Sequence, residues 1–151
     1  MNGLQPEHLD LLGFVDAVQA HIQNFEKTHH ILCRFNVSNK EMVIPREDSL
    51  VLFRVLQESL INILKHASAN RVTVNLETKH DKLVMEIIDN GIGFDNSNTK
   101  RQDCYGLISM NEQAKSIGGK FNISNKTGNG TKVQVEIPYV ELKISNTLTE
   151  K

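Results

Sequence analysis

The sequence predicts an α+β domain of two layers, a mostly antiparallel sheet of about five strands with three helices on one face. Three observations carry that expectation. Five short segments alternate apolar and polar residues at period two, three longer segments read as helices, and no stretch repeats another or is of low complexity. The chain has 151 residues, one domain's worth and enough to bury a single core.

In chain order, Phe14, Val15, Val18, Ile22 and Phe25 recur at helical spacing, and "ILCRFNV" then places Ile31, Cys33, Phe35 and Val37 on one face of a strand. A second helix follows "IPRED", where Pro45 suits the first turn and Glu47 and Asp48 suit the positive end of the helix dipole. On this helix Leu52, Phe53, Leu56, Leu60, Ile63, Leu64 and Ala67 gather on one side, as core contacts require. "RVTVNLET" and "KLVMEIID" make a hairpin across "KHDK", with Val72, Val74, Leu76, Leu83, Met85 and Ile87 inward. Residues 90–105 carry many turn formers and little periodicity, a loop long enough to expect function. "GLISMNEQAKSIGG" is a short helix ending at Gly118 and Gly119. "KFNISN" and "TKVQVEIP" complete the sheet around the turn "KTGNG", and residues 139–151 read as a fraying tail.

Composition excludes several classes of function. With 17 Lys+Arg against 18 Asp+Glu, no global field recruits nucleic acid or an anionic membrane. Cys33 and Cys104 form no metal-ligand spacing and are too few for a disulfide framework, which points to a reducing, cytoplasmic setting. No apolar run approaches the ~20 residues needed to cross a bilayer, and "MNGLQPEHLD" lacks the regions of a signal peptide. Any membrane anchor would belong to another part of the protein.

Three features carry chemistry. Opposite the apolar side of the second helix, Arg54, Glu58, Asn62, Lys65 and His66 form a narrow polar stripe flanked by Val55 and Ile61. In "IIDNGIGFD" no strand follows the Asn-Gly turn, so Asp89 ends a buried strand at the mouth of a loop. Its carboxylate accepts hydrogen bonds only, which suits an amine such as that of adenine. Gly106 directly precedes a predicted helix, whose free amides make an anion site. The phosphate loop GxxxxGK[ST] is absent, and Gly91 with Gly93 lacks the third glycine of a dinucleotide fingerprint, so a nucleotide site here is of another kind.

Four ordered segments, "QESLINILKHA", "DNGIGF", "YGLISMNEQAKSIGG" and "GNGTKVQVEIP", resemble the asparagine box and glycine boxes of the ATP-binding domain shared by sensor histidine kinases, gyrase, Hsp90 chaperones and MutL proteins. The likeness is stronger still to two-component histidine kinases of the nitrate-sensor and desaturase-thermosensor type, with "QEALTN..KHA" and "GLxxMxERA" as usual forms. Residues 1–13 then read as the end of a linker from a dimerisation domain, and 1–138 as the catalytic domain.

The resemblance implies a Bergerat-type ATP-binding fold, with ATP and Mg²⁺ facing the polar stripe. Asn62 would ligate Mg²⁺, Glu58 would act as general base or polariser of the acceptor, and Lys65 and His66 would contact phosphates. Asp89 would bind the adenine amine and Gly91 and Gly93 would shape the pocket floor. Gly106 and Leu107 would close the lid onto the phosphates, and Thr131 would support Asp89 through a water. Implied partners are a dimerisation domain carrying the phosphoacceptor histidine and a response regulator, in a homodimeric parent.

Two departures stand out. Asn111 in "NEQA" replaces the usual arginine of "RERA", and none of His8, His21, His29, His30, His66 or His80 has the acceptor's context on a long helix. The chain therefore reads as the catalytic module of a longer kinase. A stand-alone serine kinase resembling the anti-sigma factors, or a nucleotide-gated binding module without transfer, are the alternatives.

Overall fold

The computed structural model describes residues 12–92, 101–125 and 130–140. Its elements run α1 (Phe14–His29), β1 (Leu32–Val37), α2 (Arg46–Asn62) prolonged by a π-helical turn (Ile63–Ala67), β2 (Arg71–Lys79), β3 (Lys82–Asp89), α3 (Arg101–Ser116), β4 (Lys120–Asn125) and β5 (Thr131–Pro138). The strands form one sheet in the order β1-β2-β3-β5-β4. β1 is parallel to β2, as a helical crossover requires, and the other three pairings are antiparallel. The expected α+β architecture is what the chain adopts.

The β2-β3 hairpin closes through His80 and Asp81, both left-handed at φ 51° and 62°, the turn geometry that matches strand twist. Alternate residues of the sheet face the helices. Val72, Val74, Leu76, Leu83, Met85, Ile87, Val135 and Ile137 are buried there against Phe14, Val18, Ile22 and Phe25 of α1 and Leu52, Leu56 and Leu60 of α2. The other face is polar and pairs with itself. Asn36 donates to Asn75 (2.8 Å), Asn75 donates to Glu86 (3.3 Å), Glu86 meets Lys132 (3.2 Å), and Lys82 meets Glu136 (3.0 Å).

Several sequence expectations shift. Val55 is fully buried while Leu64 and Ile61 are 41% and 44% exposed. α2 packs against α1 and α3 as well as the sheet, so its buried arc is wider than a one-sided helix would need, and the π-helical turn changes the residue spacing where Leu64 lies. α3 starts at Arg101, five residues earlier than expected, because "RQDCY" holds no helix breaker. Gly106 consequently lies in the second turn, beyond the four free amides of the helix start, and not before the helix. Tyr139, assigned by sequence to the tail, is buried and donates its amide to the Asp81 carbonyl (2.9 Å). Residues 1–11 and 141–151, which hold most of the expected linker end and tail, lie outside the described residues.

α1 is tied to the edge strand through Glu26, which accepts from the Cys33 amide (2.9 Å). Burial, and then the Glu26 charge, push the Cys33 thiol up to about 11, so it stays protonated and inert at neutral pH.

Candidate functional site

The site is built around the end of β3. Asp89 is 5% exposed and pairs in register with Val72 of β2. One carboxylate oxygen accepts from the Gly91 amide at 2.7 Å, and the Thr131 amide also donates to the side chain. Burial raises the Asp89 pKa, and these two amides oppose the rise. A carboxylate offers about four lone-pair sites, so capacity remains for a ligand's amine. β5 comes this close because Gly130 has φ +95° and carries no side chain. A Cβ there would sit inside the Asp89 carbonyl oxygen.

Asn90 sets where this strand end lies. Its side-chain oxygen accepts from the amides of Asn70 (3.1 Å) and Arg71 (3.0 Å), and its amide donates to Asn70 Oδ1 (2.7 Å). This clasp holds the start of β2 against the end of β3. The π-helical turn ends at Ala67, Ser68 reverses the chain at φ 51°, and β2 begins at Arg71. The C-terminal end of α2, with Asn62, Lys65 and His66, therefore opens at the same end of the sheet as Asp89. Asn62 is half-buried and Lys65 exposed, and neither side chain has a hydrogen-bond or ion-pair partner among the described residues. The free amide oxygen of Asn62 is a hard donor, and the described residues hold no group of three His, Cys, Asp or Glu that could cage a metal. That donor set fits Mg²⁺, which takes one or two protein ligands and shares the rest with phosphate and water.

Glu58 lies one turn before Asn62, half-buried. It borders a trough of about 580 Å³ between α1, α2 and α3. Gly106 stands against it across the helix interface, where an added Cβ would lie 2.9 Å from Glu58 Oε2. Ser59 and Met110 tie the two helices together beneath (Oγ to Sδ 3.8 Å).

Comparison with known proteins decides the family. The profile described as "Histidine kinase-, DNA gyrase B-, and HSP90-like ATPase" matches residues 47–141. The chain belongs to this ATPase family. Within it, the chain is similar to the oxygen sensor histidine kinase NreB of Staphylococcus carnosus, 32% identical over 138 residues, covering 91% of this chain and 40% of that protein. It is also similar to the histidine-protein kinase/phosphatase DegS of Brevibacillus brevis, 34% identical over 130 residues, covering 86% and 33%. Full-length ShkA in complex with AMPPNP matches with a TM-score of 0.70 at 17% identity, over 88% of this chain and 31% of that one. The histidine kinase domain of the blue-light activated kinase from Erythrobacter litoralis EL346 matches at 0.65 and 18%, over 87% and 68%. The chain thus spans well under half the length of these two sequence relatives.

As a member of the ATPase family, the chain shows which expected residues its fold assembles. Asp89, buried Gly91 and Thr131 come together, and the Thr131 amide donates to the Asp89 side chain. Asn62, Lys65 and His66 follow one another into the same end of the sheet, His66 with its side chain outside the described residues. Gly93 is also outside them. Leu107 is partly buried against the core, and Gly106 meets Glu58. Of the polar stripe, Arg54 and Glu58 line the interhelical trough. Sequence missed Asn90 and Gly130. The Asn-Gly pair signalled only a turn, and the closeness of Gly130 to Asp89 is a contact between strands far apart in the chain.

Proposed function

We propose that this ATPase domain binds Mg-ATP and passes the γ-phosphoryl group to a histidine on a separate dimerisation domain, for relay to a response regulator, within a homodimeric parent kinase. The observation that carries the reading is the buried Asp89 carboxylate, backed by two amides at the sheet end where Asn62 and Lys65 have no partner among the described residues. Asp89 would accept a hydrogen bond from the adenine amine, and Gly91 would form the floor beside it. Asn62 would hold Mg²⁺, which when bound screens the phosphate charge. Lys65 and His66 would offset charge on the transferring group. The lone pair of the acceptor imidazole nitrogen forms the new P–N bond as the P–O bond to ADP breaks, ADP leaves with that electron pair, and Glu58 accepts the imidazole proton. No helix among the described residues is long and apolar enough to cross a membrane. The domain would work in the cytoplasm, where ATP is, whatever anchors the parent.

The test is transfer in trans. The chain is mixed with labelled Mg-ATP and a purified dimerisation domain carrying a histidine followed by an acidic residue. Slow labelling that rises with acceptor concentration and is lost in acid supports the reading, because tethering, which normally supplies proximity, is missing. Acid-stable label on a serine-bearing protein would instead support the serine kinase, and binding of ATP with no transfer to either would leave a nucleotide-gated module.

A further inference from the structure

We propose that Asn90 is a positioning residue of the nucleotide site, which fixes the π-helical turn bearing Lys65 against the strand end bearing Asp89 and so sets where phosphate is held relative to the base. This rests on the Mg-ATP reading and deepens it. The two halves of the site hang on different parts of the chain. Asp89 ends β3 in register with Val72, whereas Lys65 stands exposed within the turn Ile63–Ala67, on the last stretch before β2.

That turn needs support from outside itself. π-helical turns are rare, and Ser68 directly after this one has φ 51°, a left-handed conformation that few residues other than glycine adopt. Unfavoured conformations of this kind persist where the surrounding structure holds them. The residues that come next supply the hold. The Asn70 carbonyl accepts from the Leu32 amide (3.0 Å), the Asn90 Oδ1 accepts from the amides of Asn70 (3.1 Å) and Arg71 (3.0 Å), and the Asn90 side-chain amide donates to Asn70 Oδ1 (2.7 Å). All three of these side-chain bonds run to the segment that leaves the turn. Asn90 is exposed, so water could satisfy its side chain as well, and what the clasp adds is position.

The base half stands without the clasp. Asp89 keeps the Gly91 amide, and the main-chain amide of Asn90 donates to the Arg71 carbonyl (3.2 Å) whatever side chain it carries. Loss of the Asn90 side chain therefore frees the turn with Lys65 while the acceptor for the adenine amine stays in place. The expected result is asymmetric: base affinity is kept and the gain from the outer phosphates is lost.

The experiment measures AMP, ADP and ATP binding with Mg²⁺ by calorimetry, together with hydrogen exchange of residues 63–70. It compares the wild type with Asn90→Ala, Asn70→Ala, Asn90→Asp and, on the polar face of the sheet, Asn75→Ala. Asn90→Ala is expected to bind AMP within twofold of wild type, to bind ADP and ATP at least fivefold more weakly, and to exchange faster over residues 63–70. Asn70→Ala removes one arm of the clasp and should show the same pattern at smaller size, which keeps the proposal testable if Asn90→Ala fails to fold. Asn90→Asp keeps an oxygen for the two amides, and the Asn70 carboxamide can turn over to donate, so the wild-type ratio of ADP to AMP affinity should return. Asn75→Ala loses its bonds to Asn36 and Glu86 and should lower the thermal midpoint with that ratio unchanged, which separates positioning from stability. Equal weakening of all three nucleotides by the clasp variants, weakening of none, or unchanged exchange over 63–70 would overturn the proposal and leave the nucleotide reading standing. A wild type that binds none of the three would sink the nucleotide reading and the proposal with it.

Discussion

Replacing Asp89 by Asn tests the site at its centre. The side chain is 5% exposed and takes amides from Gly91 and Thr131, and the Asn oxygen can still accept from the Gly91 amide, so the fold should survive. The remaining atom becomes an NH₂ donor facing a ligand amine that is also a donor. One buried polar group is left unpaired, at a cost of about 1–3 kcal/mol. That weakens Mg-ADP binding roughly 5- to 150-fold, measured by calorimetry. The free protein should respond in the opposite sense. Burial raises the Asp89 pKa, so the folded state prefers the protonated acid, and the associated stability is full below the unfolded pKa and lost as pH rises through the folded one. At pH 7 the wild type carries that penalty and the neutral Asn variant does not. Ligand-free Asp89→Asn should thus equal or exceed the wild type in urea denaturation at neutral pH, with the gain vanishing below about pH 4. Equal ADP affinity in the two proteins, or a ligand-free variant less stable at neutral pH than at acid pH relative to wild type, would refute the reasoning.

Three further outcomes follow from the same geometry. Asn90→Ala removes the clasp on Asn70 and Arg71 and should lower stability by about 1–2 kcal/mol, the amides being free to find water, with an unchanged urea midpoint counting against a structural role for the clasp. Gly130→Ala combines a left-handed backbone with a collision on the Asp89 carbonyl and should cost about 3 kcal/mol, at the upper end of ordinary single substitutions, and also weaken ADP. A well-folded variant with normal affinity would show that β5 can retreat without moving Asp89. His21 is buried beside Phe53 at 5.3 Å between ring centroids, and burial lowers its pKa. Its contribution is full above the ordinary value of 6.5 and is lost as pH falls from there through the lowered folded value, so His21→Leu should flatten the acid loss of stability by at most about 1.4 kcal/mol per pH unit, checked by urea denaturation between pH 5 and 8, and an unchanged slope would count against it.

Period and punctuation in the sequence were enough to determine the elements, the hairpin at His80-Asp81 and the inward faces of β2 and β3, because a strand's alternation depends on its own residues once one face is buried. The ordered motifs likewise identified the family and singled out Asp89 as a buried strand end. The width of the buried arc on α2 was decided elsewhere. Val55 is fully buried on a helix that packs against two other helices as well as the sheet, and nothing in its own segment records that packing. The start of α3 was equally hidden, since Gly106 reads locally as a boundary while the residues before it continue the helix. The clasp of Asn90 on Asn70 joins residues 20 positions apart, and the fit of Gly130 to Asp89 spans two strands. Such contacts arise from sheet pairing, so they are properties of the tertiary structure. The same holds for the direction of the polar stripe: one helix carries Arg54, Glu58, Asn62 and Lys65, but only the packing of α1 and α3 sends the first two into a trough while the last two stand near the end of β3.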